Sequence, residues 1–206
     1  MNAFVLAGGQ STRMGRDKAL LELGGSPLIE HALEKLRALG FSPRVAGSRP
    51  DLAWFAPVVA DNYFQQGPLS GIEAALVASD AEQNLFLPVD LPRLPVEFLR
   101  WMMDRAGQTC ALATVPRLQG LPQPLCAVYS RAMLPHIRAA LAEEDTKVTR
   151  AVERASVATG LRVDGFDVES VAAAQGWPQP LYLWFHNLNT PADFNHVALE
   201  QLPPIH

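Results

Sequence analysis

Apolar residues recur along this chain in two rhythms. Ala3 to Ala7 and Leu85 to Val89 are uninterrupted apolar runs, and Arg44 to Gly47 and Val58 to Ala60 read as short strands. Each stops at a glycine or a polar residue, as buried strands entering loops do. Between them the spacing turns helical. Leu28, Ile29, Ala32, Leu33 and Leu36 share one helix face, Ser26-Pro27 predicts a serine N-cap with proline at the first helical position, and Gly40 predicts the stop. Helices are also expected over Leu69 to Ser79 and Pro95 to Ala106. This alternation predicts an α/β fold: a three-layer, Rossmann-like arrangement with a mostly parallel sheet covered on both faces.

The second half is less regular. Ala111 to Val115 and Leu125 to Tyr129 read as strands, and a helix is expected from Arg131 to Ala142. Glu143 to Asp145 forms an acidic break before another helical stretch. Leu181 to Phe185 reads as an aromatic strand, and Thr190-Pro191, with Asp193 completing a capping-box-like pattern, predicts a last helix. No repeat, low-complexity tract or composition shift marks a linker, so one domain is expected over 1–206.

Composition narrows the function classes. With 49% hydrophobic and 18% charged residues a substantial core is expected, and the net charge of −4 gives no electrostatic reason to expect DNA or RNA as the main partner. Cys110 and Cys126 form no CxxC pair and have no histidine at zinc-finger spacing, which makes a structural zinc site improbable and fits a reducing compartment. His31, His136, His186, His196 and His206 suggest no ligand cluster. With neither a signal peptide nor a spanning segment apparent, the expectation is a soluble cytoplasmic protein.

The candidate chemistry lies in Leu6 to Lys18, LAGGQSTRMGRDK. This segment follows the first strand and gathers Gly8, Gly9 and Gly15, the hydroxyls of Ser11 and Thr12, and the cations Arg13, Arg16 and Lys18. Glycines let backbone N–H groups turn toward an anion, Arg13 offers a planar fork, and Lys18 a mobile point charge. The spacing is neither a Walker A loop nor a G-x-G-x-x-G dinucleotide fingerprint. Composition alone leaves two readings, a triphosphate site or a solvated glycine-rich loop. Asp90 ends an apolar strand, where open α/β sheets place ligands, and a carboxylate there either binds magnesium or starts a turn.

LAGGQSTRMGRDK resembles the loop of molybdenum cofactor guanylyltransferases, within the wider group of sugar-nucleotide and cofactor nucleotidyltransferases. Asp61 with Gly67-Pro68-Leu69-Ser70-Gly71, then Leu87-Pro88-Val89-Asp90-Leu91-Pro92, then Asn187-Leu188-Asn189-Thr190-Pro191 follow in the family's order over nearly the whole chain. The resemblance implies transfer of GMP from GTP to the terminal phosphate of molybdopterin, with release of pyrophosphate. It divides the chain into a nucleotide-binding half, about 1–107, and an acceptor-binding half, about 108–206. It implies Arg13, Lys18 and Asp90 as catalytic, Asp90 as the Mg²⁺ ligand, and nucleotide contacts from Leu6, Ala7, Gly8, Gly9, Ser11, Gly15, Lys18, Asp61, Gly67, Gly71 and Asp90. Gln123-Pro124-Leu125, Asn187 and Asn189 fall near the acceptor, although Gln123 also reads as an ordinary turn residue and the two asparagines as local backbone-bonding residues. The family has an asparagine after the second strand where this chain has Ala46-Gly47-Ser48. The implied partners are molybdenum-insertion and cofactor-delivery proteins. A cytidylyltransferase, a sugar-phosphate nucleotidyltransferase and a non-catalytic nucleotide sensor are the alternatives.

Overall fold

The computed structural model describes residues 1–8, 17–63, 65–178 and 180–188. Its main sheet runs β10-β7-β9-β6-β1-β4-β5, with β8 (Leu121–Pro122) paired to β7. The apolar runs are its centre: β1 (Asn2–Leu6) lies between β4 (Arg44–Ala46) and β6 (Gln83–Pro88), parallel to both, and β5 (Val58–Val59) extends the parallel edge. β7 (Ala113–Leu118) and β10 (Val163–Asp167) are also parallel. Between the two parallel groups, β9 (Ala127–Ser130) runs antiparallel to β6 and to β7. The expected mostly parallel sheet is therefore present.

Strand periodicity assigns side chains to two cores. Ala3, Val5, Leu85, Leu87 and Val128 face α1 (Leu28–Ala38), α3 (Val96–Thr109) and α6 (Val168–Gln175). Phe4, Leu6, Phe86, Ala127 and Tyr129 face α2 (Gly67–Ala78), α4 (Leu134–Ala142) and α5 (Val148–Thr159). On the second face Phe4 stacks on Phe86 at 5.5 Å, and Phe86 meets Tyr129 at 5.7 Å, so aromatic pairs cross β1, β6 and β9. Among the described residues no helix is long and apolar enough to cross a membrane.

Several expectations are corrected. Ser26-Pro27 does not open α1: it forms β3, which pairs with β2 (Glu22–Leu23) across the Gly24-Gly25 turn. Pro27 is then the N-cap, without a side-chain cap bond, and the Leu28 N–H donates to Leu21 O instead. The hairpin takes over the role assigned to serine. Leu181 to Phe185 is not a strand but a 3-10 turn, Leu181–Leu183, continued by Trp184. Leu181, Trp184 and Phe185 are spaced to bury one face, and Phe98 meets Trp184 at 5.9 Å and Phe185 at 5.6 Å. These aromatics are core. The expected helix from Arg131 begins as a 3-10 turn, Arg131–Met133, before α4. The helix expected at Thr190 lies outside the described residues.

Two buried titratable groups make stability respond to pH in opposite directions. Burial lowers the Lys35 amine to about 7 and pushes the Cys126 thiol up to about 12. Between pH 7 and 9 the unfolded chain keeps Lys35 protonated while the folded chain releases that proton. Stability contributed at this site therefore rises with pH, by up to about 1.4 kcal/mol per unit. Above pH 9 the unfolded thiol ionises while the folded one stays protonated, which offsets the gain. Denaturant titrations from pH 6 to 9 should show the rise in the wild type and its loss in Lys35→Met. An equal slope in both would remove Lys35 as its source.

Candidate active site

The strand order reverses at β1. The β1-to-β4 connection carries α1 on one face, whereas the return to β6 carries α2 on the other, and the crevice between their carboxyl ends is where open α/β sheets bind ligands. A cleft of ≈ 250 Å³ lies here. Its lining includes Leu6, Ala7 and Gly8 after β1, Lys18, Asp61, Gly67 and Gly71 of the helix entry, and Asp90 after β6. Eight of the implied contacts thus meet in one cleft. Gly9, Ser11, Arg13, Gly15 and Asn189 lie outside the described residues.

Lys18 and Asp90 come from distant segments and meet: Lys18 Nζ lies 2.7 Å from Asp90 Oδ2, with side chains 14% and 19% exposed. Asp90 is held by the sheet on one side, where the Val89 N–H donates to Leu6 O at 3.1 Å. Its own carbonyl accepts from the Leu188 N–H at 3.4 Å. Lys18 follows Asp17, whose carboxylate caps the short turn Lys18–Leu20 by accepting from the Ala19 N–H.

Asp61 shows a second kind of chemistry. Oδ2 accepts from the Ser48 N–H at 3.2 Å, while Oδ1 is buried without a hydrogen-bond partner among the described residues. Desolvation raises its pKa above the ordinary carboxylate value, partly offset by the Ser48 bonds. A Cβ on Gly71 would sit 3.5 Å from Asp61 Oδ1 and 3.6 Å from Ala46 O, so the bare glycine leaves two acceptors converging on one volume.

A model for the MobA-like NTP transferase domain matches residues 3–159. The chain belongs to this family. A probable molybdenum cofactor guanylyltransferase from Carboxydothermus hydrogenoformans is 33% identical over 72% of this chain and 75% of its own length. The molybdenum cofactor guanylyltransferase of Photobacterium profundum is 31% identical over 94% of this chain and 93% of its own. The crystal structure of molybdopterin-guanine dinucleotide biosynthesis protein A from Archaeoglobus fulgidus superposes with a TM-score of 0.79 at 25% identity, covering 97% of each chain.

One residue of this MobA-like domain carries no motif signal in the sequence. Arg49 Nη1 donates to Ala7 O at 3.2 Å and Nη2 pairs with Asp17, so one guanidinium ties together the residues that flank 9–16. Hydrogen bonding to Asp51 and the nearby Asp17 charge raise its pKa. Only its place after β4 hinted at a role. Of the Gln123-Pro124-Leu125 segment, Leu125 lines the cleft, reaching it from the second half of the chain. Gln123 is absent from that lining. Its N–H donates to Pro116 O at 2.8 Å and its side-chain amide to Leu121 O, which is the turn role. Asn187 is exposed beside Leu188, next to the Asp90 backbone. Among the described residues no three His, Cys, Asp or Glu side chains converge as a metal cluster.

Proposed function

We propose that this chain transfers GMP from GTP to the terminal phosphate of molybdopterin, giving molybdopterin guanine dinucleotide and pyrophosphate, with Mg²⁺ as its metal. The names of its relatives support the reaction class and both substrates. The observation that carries the choice of base is the pair of acceptors, Asp61 Oδ1 and Ala46 O, around Gly71. A buried carboxylate oxygen without a donor is unfavourable until a ligand supplies one. Guanine presents a ring N–H and an amino group side by side on one edge, whereas cytosine and adenine each present one amino donor there. The unbroken sheet supports reading 1–206 as one domain, with the acceptor met by the half containing Leu125 and Asn187.

The chemistry needs no protein nucleophile. The acceptor phosphate oxygen forms a bond to the α-phosphorus while the bond to the bridging β-oxygen breaks, and pyrophosphate leaves with that electron pair. The chain's work is positioning and charge neutralisation. Lys18 would supply positive charge to the triphosphate and Gly8 a backbone amide. For the residues outside the described ones, the family motif assigns Arg13 as a second cation, the Gly9 and Gly15 amides to the leaving pyrophosphate, and Ser11 as a nucleotide contact. Asp90 would hold the metal. A single hard carboxylate fits magnesium, which commonly takes one or two carboxylates and completes its shell with phosphate and water. When bound, the metal would neutralise phosphate charge and polarise the reacting phosphoryl group.

The test combines purified protein, Mg²⁺, molybdopterin and each of GTP, CTP and ATP. Pyrophosphate and the dinucleotide should form with GTP, and GTP should give the largest thermal shift. A shift with CTP alone would overturn the guanine assignment, and no pyrophosphate with any nucleotide would overturn the enzymatic reading.

A further inference from the structure

Lys35 sits on the core-facing side of α1, 2% exposed, although a lysine side chain is ordinarily solvated. Its amine donates to Leu91 O at 3.0 Å and to Pro92 O at 2.5 Å. These carbonyls belong to the segment immediately after Asp90. A buried carbonyl needs a donor, and a lysine can serve two at once from below. One helical turn earlier on the same face, His31 Nε2 donates to Leu23 O at 2.7 Å. Leu23 lies in the hairpin that follows Lys18. One face of α1 therefore ties the segments that bring Lys18 and Asp90 together.

We propose that Lys35 is a positioning residue: by holding the Leu91 and Pro92 carbonyls it sets the Asp90 carboxylate for metal and triphosphate. The Asp90 main chain is otherwise tied through Val89 to β1 and through its own carbonyl to Leu188. After Asp90 the Leu94 N–H donates to Leu91 O at 3.3 Å, which closes that segment on itself but does not anchor it to the rest of the fold. Lys35 restrains that side, where a small rotation of the backbone would swing the carboxylate away from Lys18. The lowered amine pKa fits this role, because a neutral amine still donates two N–H groups. The inference rests on the function proposed above and concerns a group that does not touch substrate.

The test uses the full chain, with Lys35→Met and Lys35→Gln. Methionine fills the volume without a donor. Glutamine keeps an amide that is one atom shorter and can serve one carbonyl. Mn²⁺ binding is read by electron paramagnetic resonance on GTP-saturated protein, and kcat and KM for GTP are measured at saturating Mg²⁺. Lys35→Met should weaken Mn²⁺ binding and lower kcat, each by about 10-fold or more, with KM for GTP within about threefold of wild type. Lys35→Gln should fall between methionine and wild type, at about threefold. Wild-type Mn²⁺ binding and kcat in Lys35→Gln would overturn the proposal, even if the methionine variant fails to fold. So would a rise in KM that tracks kcat with Mn²⁺ binding unchanged, which is general loosening. Inactivity of the wild type would instead sink the proposed reaction, leaving the Mn²⁺ measurement to judge Lys35.

Discussion

Asp90→Ala is expected to lower turnover with GTP and molybdopterin by about 10³-fold while the protein stays folded. The first half follows from the metal assignment. A bound divalent ion contributes several kcal/mol of charge stabilisation to the transition state, and each 1.36 kcal/mol is tenfold in rate. The second half follows from how the residue is held. Asp90 owes its place to main-chain bonds, from Val89 to Leu6 and from Leu188 to its own carbonyl, and alanine keeps them. Lys18 and Asp90 are largely buried, at 14% and 19% exposed, so losing the carboxylate should lower the melting temperature, but Lys18 lines a cleft where solvent can reach its amine, which keeps that cost short of unfolding. Asp90→Asn keeps the shape without the charge and should be nearly as impaired. Turnover within about tenfold of wild type in the alanine variant, with an intact melting curve, would remove Asp90 as the metal ligand.

That prediction could be framed from sequence because Asp90 ends an apolar strand, and strand ends in an α/β sheet collect at one edge. The same logic made Leu6 to Gly8 and Asp61 legible. Strand direction was not legible, since an apolar run such as Ala127–Ser130 reads alike in either orientation. β10 was hidden for a different reason. Its inward positions include Asp164, which Arg105 of α3 neutralises through two bonds of 2.7 and 2.8 Å, so the apolar alternation is broken. Arg105 in turn lies over the Trp101 and Phe166 rings, each 5.4 Å from the guanidinium. Lys35 is hidden in the opposite sense: it falls seven residues after Leu28 and three after Ala32, on the apolar face of the helix, but its charge marks it as a surface residue. Arg49 acts through Ala7 and Asp17, residues far from it in sequence, and no local pattern encodes such a contact.

The position most undervalued by motif is Gly47, and Gly47→Ala should reduce kcat/KM for GTP by about 10²-fold with a lowered melting temperature. Gly47 has φ +137°, which L side chains rarely adopt. An added Cβ would lie 2.9 Å from Gly8 N and 3.0 Å from Gly8 Cα, both backbone atoms. That backbone cannot move cheaply. The Ala7 N–H donates to Ala46 O at 3.2 Å and the Gly47 N–H to Val59 O at 3.0 Å, so both strands are locked where they would collide. The displacement would fall on the start of the proposed phosphate loop, and a shift of about 1 Å there suffices for a loss of that size. Gly8→Ala is the control, although Gly8 belongs to the motif and Gly47 does not. Among the described residues a Cβ on Gly8 meets only Gly47 Cα, at the ordinary distance of 3.9 Å. The contact is therefore asymmetric, and so should be the variants: Gly8→Ala close to wild type in stability, Gly47→Ala impaired in both stability and GTP use. If both variants melt with the wild type and keep their KM within about twofold, the close approach of the two strand ends is not what shapes the loop.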